Sequence, residues 1–329
     1  MKPFFSNNVS NVNTIKLVEK DEIIQCETKV ANTLNSFFEN AVSKLNITEN
    51  KYILNHDYLN IVDPIDKAIV KYELHPSILT IKEKIGNSNS FYFEQIGLQD
   101  IGNEIKNINT KKASSYGNIP PKILKLFSIV SSPALKILFN ESLDKCVFPE
   151  DLKLADLIPV FKKNDPLDKA NYRPISLLPI VSKVFEKLIQ KQINNYIRPH
   201  LSPYLCGFRK GFNTQQALLS LIENWKRVLD KQGFGGAVLM DLSKAFDTLN
   251  HELLIAKLHA YGFSKCSLRY LHSYLTKRWQ RTKVGIKFSS WSELIQGVPQ
   301  GSVFRPLLFN ICLNDLFLLI QQTSICNFA

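Results

Sequence analysis

The chain has 329 residues, enough for two or three lobes each with a core of its own. Apolar residues make up 45% and charged residues 21%, which excludes a disordered tail and fits an ordinary globular protein. Lys and Arg number 41 against 29 Asp and Glu, and the net +12 favours a polyanionic partner without choosing between RNA, DNA and an anionic membrane. No apolar signal core opens the sequence. The apolar stretch 307–320 is broken by Asn310, Asn314 and Asp315, so no membrane anchor is expected. The cysteines are Cys26, Cys146, Cys206, Cys266, Cys312 and Cys326, with no C-x-x-C pair, and the histidines show no zinc-ligand spacing. They read as reduced, buried thiols of an intracellular protein, in cytoplasm or nucleus.

Residues 1–30 are rich in Asn and Lys with little periodicity and read as a frayed start. Leu34, Phe37, Phe38, Val42 and Leu45 then recur at helical spacing. Residues 46–100 are polar and weakly patterned, with turns or helix boundaries at Asp63-Pro64 and His75-Pro76. A helical stretch over 121–145 ends before Phe148-Pro149, and an apolar run over 155–161 closes in the polar turn 162–166. Ser182 is placed to cap a helix with the stripe Phe185, Leu188, Ile189, Ile193 and Ile197. Thr214 is placed to cap another, with Leu218, Leu221, Ile222, Trp225, Val228 and Leu229 on one face. Glycines at 233–236 end it, and 237–242 reads as a buried strand. Leu254, Leu258 and Tyr261 mark a helix stopping at Gly262.

Several residues can carry chemistry. A carboxylate at a strand end, as expected for Asp241, can hold Mg²⁺ against a phosphate, although a turn or cap aspartate is commoner. Phe246 can pack beside a bound sugar, or simply be core. Residues 296–302 read Gln-Gly-Val-Pro-Gln-Gly-Ser, a tight path that a nucleotide can approach closely, or a plain turn. Residues 151–210 carry eleven basic and five acidic side chains, a net +6 that includes Lys162, Lys163, Arg173, Arg209 and Lys210. Arginine suits bidentate phosphate binding, while a solvated face is the usual fate of a charge run. Residues 265–287 hold seven basic residues and no acidic one, among them Arg278, Arg281 and Lys283, interleaved with Tyr270, Tyr274 and Trp279. That pattern suits a nucleic-acid backbone track, and equally an amphipathic helix with a wet face. No phosphate loop of the G-x-x-x-x-G-K-[ST] type, H-E-x-x-H or complete G-x-G-x-x-G is present, which sets aside ATPase, zincin and dinucleotide readings.

The order of these segments resembles a known family. Residues 157–163 (Leu-Ile-Pro-Val-Phe-Lys-Lys) with 171–179 (Asn-Tyr-Arg-Pro-Ile-Ser-Leu-Leu-Pro) resemble the first fingers motif of LINE-type (non-LTR) reverse transcriptases. Gly207-Phe208-Arg209 with Thr214 and Ala217-Leu218 resembles the second. Residues 241–248 (Asp-Leu-Ser-Lys-Ala-Phe-Asp-Thr) with His251 resemble the palm motif bearing the first catalytic aspartate. Residues 296–302 followed by Pro306-Leu307-Leu308-Phe309 resemble the next palm motif. Lys111 to Ser114 with Ile119-Pro120, and Phe148-Pro149 with Leu152-Lys153, fit the family's N-terminal extension, so the likeness runs from about residue 31 to 329.

The resemblance implies an α+β right-hand polymerase with fingers and an antiparallel palm sheet backed by helices, the thumb being absent. It divides the chain into an upstream region (1–100), an N-terminal extension (101–150), and fingers with partial palm (151–329). Asp241 and the Leu242 carbonyl would bind two Mg²⁺ ions. Phe246 would sense the 2′-hydroxyl of an incoming deoxynucleoside triphosphate. Arg173 and Arg209 would lie near the triphosphate or template, and Gln300 and Gly301 would contact the nucleotide. Lys162, Lys163, Lys210, Arg278, Arg281 and Lys283 would line an RNA template and DNA primer. The family's next motif reads Phe- or Tyr-Ala-Asp-Asp, whereas this sequence stops at Phe328-Ala329. A chain without that pair is expected not to polymerise, leaving RNA binding or a decayed remnant as alternatives. Phe304-Arg305 stands where the family usually has Leu-Gly, and Ser115-Tyr116-Gly117 where it has Gly-Asp. No protein partner is inferable.

Overall fold

The computed structural model describes residues 15–19, 21–40, 53, 57–86, 90–111, 119–236, 238–242 and 244–319. A short hairpin, β1 (Leu17–Glu19) and β2 (Glu22–Ile24), leads into α1 (Glu27–Glu39). Helices α2 (Pro64–Lys71), α3 (Pro76–Ile85), α4 (Leu98–Lys106), α5 (Pro121–Leu126) and α6 (Ser128–Asp144) follow. Strands β3 (Leu154–Phe161) and β4 (Tyr172–Leu177) form a hairpin before α7 (Ile180–Ile197) and α8 (Thr214–Asp230). Next come α9 (His251–Ala260), α10 (Lys265–Leu275), β5 (Arg278–Val284), β6 (Lys287–Phe288), β7 (Ser292–Leu294) and α11 (Phe304–Leu319).

The main sheet runs β4-β3-β5-β6, with β7 also on β5. It is mixed, not antiparallel as expected: β3 pairs antiparallel with β4, Ile158 opposite Ile175, but parallel with β5, Asp156 opposite Arg281. Antiparallel partners can be joined by a tight turn, whereas parallel partners need a long crossover. The segment from α7 through α10 supplies that crossover between β3 and β5.

Two apolar clusters hold the described residues together. The larger joins α2, α3, α4, α6, α7, α9, α10 and α11, with Phe139, Phe148, Phe185, Tyr270 and Tyr274 at its centre. Phe139 stacks on Phe185 with centroids 4.1 Å apart. The smaller packs Leu17, Val30, Ala31 and Leu34 against Tyr172 and Val284. The described part of the expected frayed start is therefore built in. Asn35 of α1 donates to Ser292 and accepts from Thr282, tying the helix to β5 and β7. The weakly patterned 46–100 stretch likewise gives Ile65, Ala68, Ile78 and Ile81 to the main core. Asp63-Pro64 and His75-Pro76 are helix starts: each proline sits in the first turn, where its missing N–H costs nothing, and Asp63 and His75 accept backbone N–H bonds as caps.

Other expectations need correction. Pro179 precedes α7, and Ser182 is its third residue, buried, donating to Glu186 instead of capping. Asn213 caps α8 through a capping box with Gln216, one residue before the expected Thr214, because Asn213 has the extended backbone of a cap and its Oδ1 accepts from the Gln216 N–H, while Thr214 is already helical. The α8 stripe is largely unburied: Leu218, Ile222, Trp225, Val228 and Leu229 are exposed. Residues 238–242 form no strand; Val238 is 85% and Leu239 95% exposed. No described strand pairs with this run, so its apolar side chains have no surface to bury against. Cys146 and Cys266 are joined in a disulfide with Cα atoms 5.6 Å apart, contrary to the expected reduced state. The α6 end and the α10 start bring them into bonding reach. Cys26 is exposed, while Cys206 is buried and Cys312 partly so. Among the described residues no helix is long and apolar enough to cross a membrane. Ala237, Ser243, Val42, Leu45, Cys326, the residues at 112–118 and the end at 328–329 lie outside the described residues.

Candidate functional site

The turn at 244–249 and the loop at 296–302 are stitched together by backbone. Gly297 N–H donates to the Leu249 carbonyl (3.0 Å) and Val298 N–H to the Phe246 carbonyl (3.3 Å). Ser176 N–H on β4 donates to the Gln300 carbonyl (2.8 Å), so the loop bridges sheet and turn. Both loop glycines are required by close approach. Gly297 has φ 75°, and a Cβ there would lie 2.7 Å from the Asp247 carbonyl oxygen. Gly301 has φ 145°, and a Cβ there would strike the Ser176 carbonyl oxygen. The tight path thus accommodates the protein's own backbone. His251, buried at the start of α9, donates from Nε2 to the Gly297 carbonyl at 2.7 Å and braces the loop. Burial holds its imidazole below the usual pKa.

Phe246 sits in this junction. Its ring lies 4.4 Å from Phe309 of α11 and 5.6 Å from Phe208, which approaches edge-on. Arg305, in the first turn of α11, places its guanidinium 4.6 Å from the Phe246 centroid. Arg305 Nη2 also donates to Asp247 Oδ1 at 3.0 Å. Partial burial pushes the Asp247 carboxyl up, against the pull of Arg305. Burial likewise lowers Arg305 from its ordinary value, with Asp247 opposing. Three stretches distant in sequence, carrying Phe208, Phe246-Asp247 and 296–305, therefore meet at one place.

Asp241 and Leu242 make no side-chain hydrogen bond or ion pair among the described residues. Both are exposed, in the stretch without strand structure. Among the described residues no three His, Cys, Asp or Glu side chains converge on a possible ion, and Asp247 is engaged by Arg305. The described residues on their own do not compose a two-metal centre.

The basic residues divide into two groups. Lys162, Lys163, Arg173 and Lys210 are exposed, the first three around the β3–β4 hairpin, where Arg173 pairs opposite Val160. Arg209 turns inward: Nη1 donates to the Ser202 (2.6 Å) and Leu205 (3.0 Å) carbonyls, and its guanidinium covers Phe212. Over 265–287 the basic side chains do not all face outward. Arg278 is 1% exposed, donates to the Tyr274 carbonyl and stacks on its ring. Arg281 donates to Asp156 at 2.8 Å between Phe288 and Trp291, and Lys283 also lies over Phe288. Tyr270 and Tyr274 are core residues, because they lie on the α10 face turned toward Phe148 and Phe185.

One supporting residue went unnoticed. Glu186 is fully buried and accepts from Ser182 Oγ (3.0 Å), Ser302 Oγ (3.0 Å) and Val303 N–H (2.7 Å). Tyr274 joins through a 2.6 Å hydrogen bond with Ser302. This carboxylate anchors the exit of the 296–302 loop to α7. The i, i+4 spacing of Ser182 and Glu186 on an otherwise apolar helix face is the signal that could have found it.

Residues 161–329 match the sequence profile of the family described as reverse transcriptase (RNA-dependent DNA polymerase). The chain is similar to a probable RNA-directed DNA polymerase from transposon BS of Drosophila melanogaster, 31% identical over 69% of this chain and 25% of that protein. It is similar to the RNA-directed DNA polymerase from mobile element jockey of the same fly, 27% identical over 67% of this chain and 24% of that protein. A probable RNA-directed DNA polymerase from transposon X-element of that fly is 29% identical over 63% of this chain and 23% of its own length. The chain spans about a quarter of the length of these curated relatives.

Proposed function

The chain belongs to the reverse transcriptase family, as a LINE-type (non-LTR) domain, and from that premise we propose that it forms the fingers and part of the palm of an RNA-directed DNA polymerase. In this reading it holds an RNA template annealed to a DNA primer and receives deoxynucleoside triphosphates for addition to the primer 3′-hydroxyl. The observation that carries the reading is the convergence of Phe208, the Phe246-Asp247 turn and the 296–302 loop on one junction.

Phe246 offers a rigid ring for the nucleotide sugar, held from behind by Phe309. Gln300, half-buried on the loop, is the adjacent side-chain donor and acceptor. Lys162, Lys163 and Arg173 form the exposed cationic rim for the nucleic-acid backbone. The 329 residues contain no Asp-Asp pair. This polypeptide is expected to hold an RNA–DNA hybrid.

The test is a filter-binding titration of an RNA template annealed to a DNA primer across a range of salt. Log affinity should fall linearly with log salt, and replacing Lys162, Lys163 and Arg173 by Ala should flatten the slope by about two to three. Salt-insensitive binding, or a slope the triple variant leaves unchanged, would overturn the proposed interface.

A further inference from the structure

The side chain of Arg305 lies on the ring that the proposed nucleotide site needs. Its guanidinium is 4.6 Å from the Phe246 centroid, and the same ring meets Phe309 at 4.4 Å and Phe208 at 5.6 Å. A group stacked at that distance fills the contact layer in which a sugar would pack. Arg305 is also held there: Nη2 donates to Asp247 at 3.0 Å, and the side chain is only 13% exposed. Its position follows from the sequence, since residue 305 is the second residue of α11, just after the loop that is stitched to Phe246.

We propose that Arg305 is a positioning residue that holds the Phe246 ring in a closed arrangement and competes with the nucleotide sugar for its surface. The proposal rests on the nucleotide-site reading given above. The opposite role, a ligand for the nucleotide's phosphates, fits the geometry poorly. Nη2 is engaged by Asp247, and Nη1, which has no hydrogen-bond partner among the described residues, is itself buried. The guanidinium therefore presents little surface to an entering anion. Releasing it from Asp247 would free both the ring and the carboxylate, so Asp247 is the latch and Phe246 the surface controlled.

The experiment measures binding of dATP and ATP, each with Mg²⁺, to the full 329-residue chain by isothermal titration calorimetry. Arg305→Ala is expected to bind dATP about tenfold tighter than the unmodified chain, the size of a lost stacked cation contact. The gain for ATP should be smaller, because an uncovered Phe246 then meets the 2′-hydroxyl. Arg305→Lys, which keeps the charge but lacks the planar face, should fall between. Asp247→Asn, which loosens the guanidinium without removing it, should tighten dATP binding by a smaller factor and serves if Arg305→Ala does not fold. A purely structural role would not improve affinity in any of these chains. Equal or weaker dATP binding by the variants overturns the role of Arg305 and leaves the site reading standing. No dATP binding by any folded chain overturns both.

Discussion

Lys153 shows how a single buried charge shapes the protein. It is 3% exposed, and its nearest partner is Ser273 Oγ at 3.4 Å. Burial first, and then the neighbouring Arg278, pull its pKa from 10.5 down to about 8. Between those two values the unfolded chain carries a proton that the folded chain has released. Unfolding takes up that proton, so this residue makes stability rise with pH across the window, while below about 8 the folded state bears a buried cation. Lys153→Met is therefore expected to raise the melting temperature at pH 7 by about 2–4 °C. The gain should shrink as the pH approaches 10. A thermal melt at both pH values checks this, and a lower melting temperature at pH 7 would show that the cation is stabilised by a contact not accounted for. At the same scale, Phe246, Gln300 and Gly301 stand out in sequence by residue type and order, and the structure joins the segments that carry them. Arg278 was misread, because a count of charges along a stretch does not say which one lies on the inward edge of a strand.

Among the elements, the helix starts at Asp63-Pro64 and His75-Pro76 were well marked, while the caps of α7 and α8 and the strands were not. Proline in the first turn and an oxygen-bearing cap are local signals, and α2 follows them. Asp63 accepts from the Ile65 (2.8 Å) and Asp66 (3.3 Å) N–H groups and receives Arg269 Nη2 at 2.7 Å. The Arg269 hydrogen bond is the main cause holding its carboxyl down at about 2, well below 3.8. A depressed carboxylate stabilises above the unfolded value, and the contribution fades as pH falls from 3.8 toward 2. Urea melts should find Asp63→Ala destabilised by about 1–2 kcal/mol at neutral pH, with Asp63→Asn, which keeps the cap, losing less. Equal losses would mean that the ion pair outweighs the cap. Strand pairing was less legible because partners distant in sequence decide it. An apolar run at 238–242 has the composition of a buried strand, yet nothing in the described structure covers it. The same holds for α8, whose apolar stripe is clear in sequence while its exposure is not.

Across the whole molecule, the resemblance identified the family, and the packing added what motifs do not encode. The Cys146–Cys266 disulfide closes a loop with a sequence separation of 120 residues and ties the end of α6 to the start of α10. Their spacing in sequence gives no hint of this; only the docking of the two helices does. Reduction is expected to lower stability by about 2–4 kcal/mol, read as an earlier urea midpoint with dithiothreitol present. Thiol titration of the denatured, unreduced chain should find two fewer reactive cysteines than after reduction, and an equal count would remove the cross-link from the account. The mixed sheet has a similar origin, since a parallel β3–β5 pairing depends on how the long intervening segment folds back.

The measurement that bears most directly on the junction of Phe246 with the 296–302 loop as the nucleotide site is photocrosslinking with 5-iodo-deoxyuridine triphosphate, followed by peptide mapping. Adducts are expected in the peptides that carry Phe246 and residues 296–302, suppressed by excess unlabelled thymidine triphosphate. Adducts confined to other peptides, such as 265–287, or insensitive to the competitor, would contradict it.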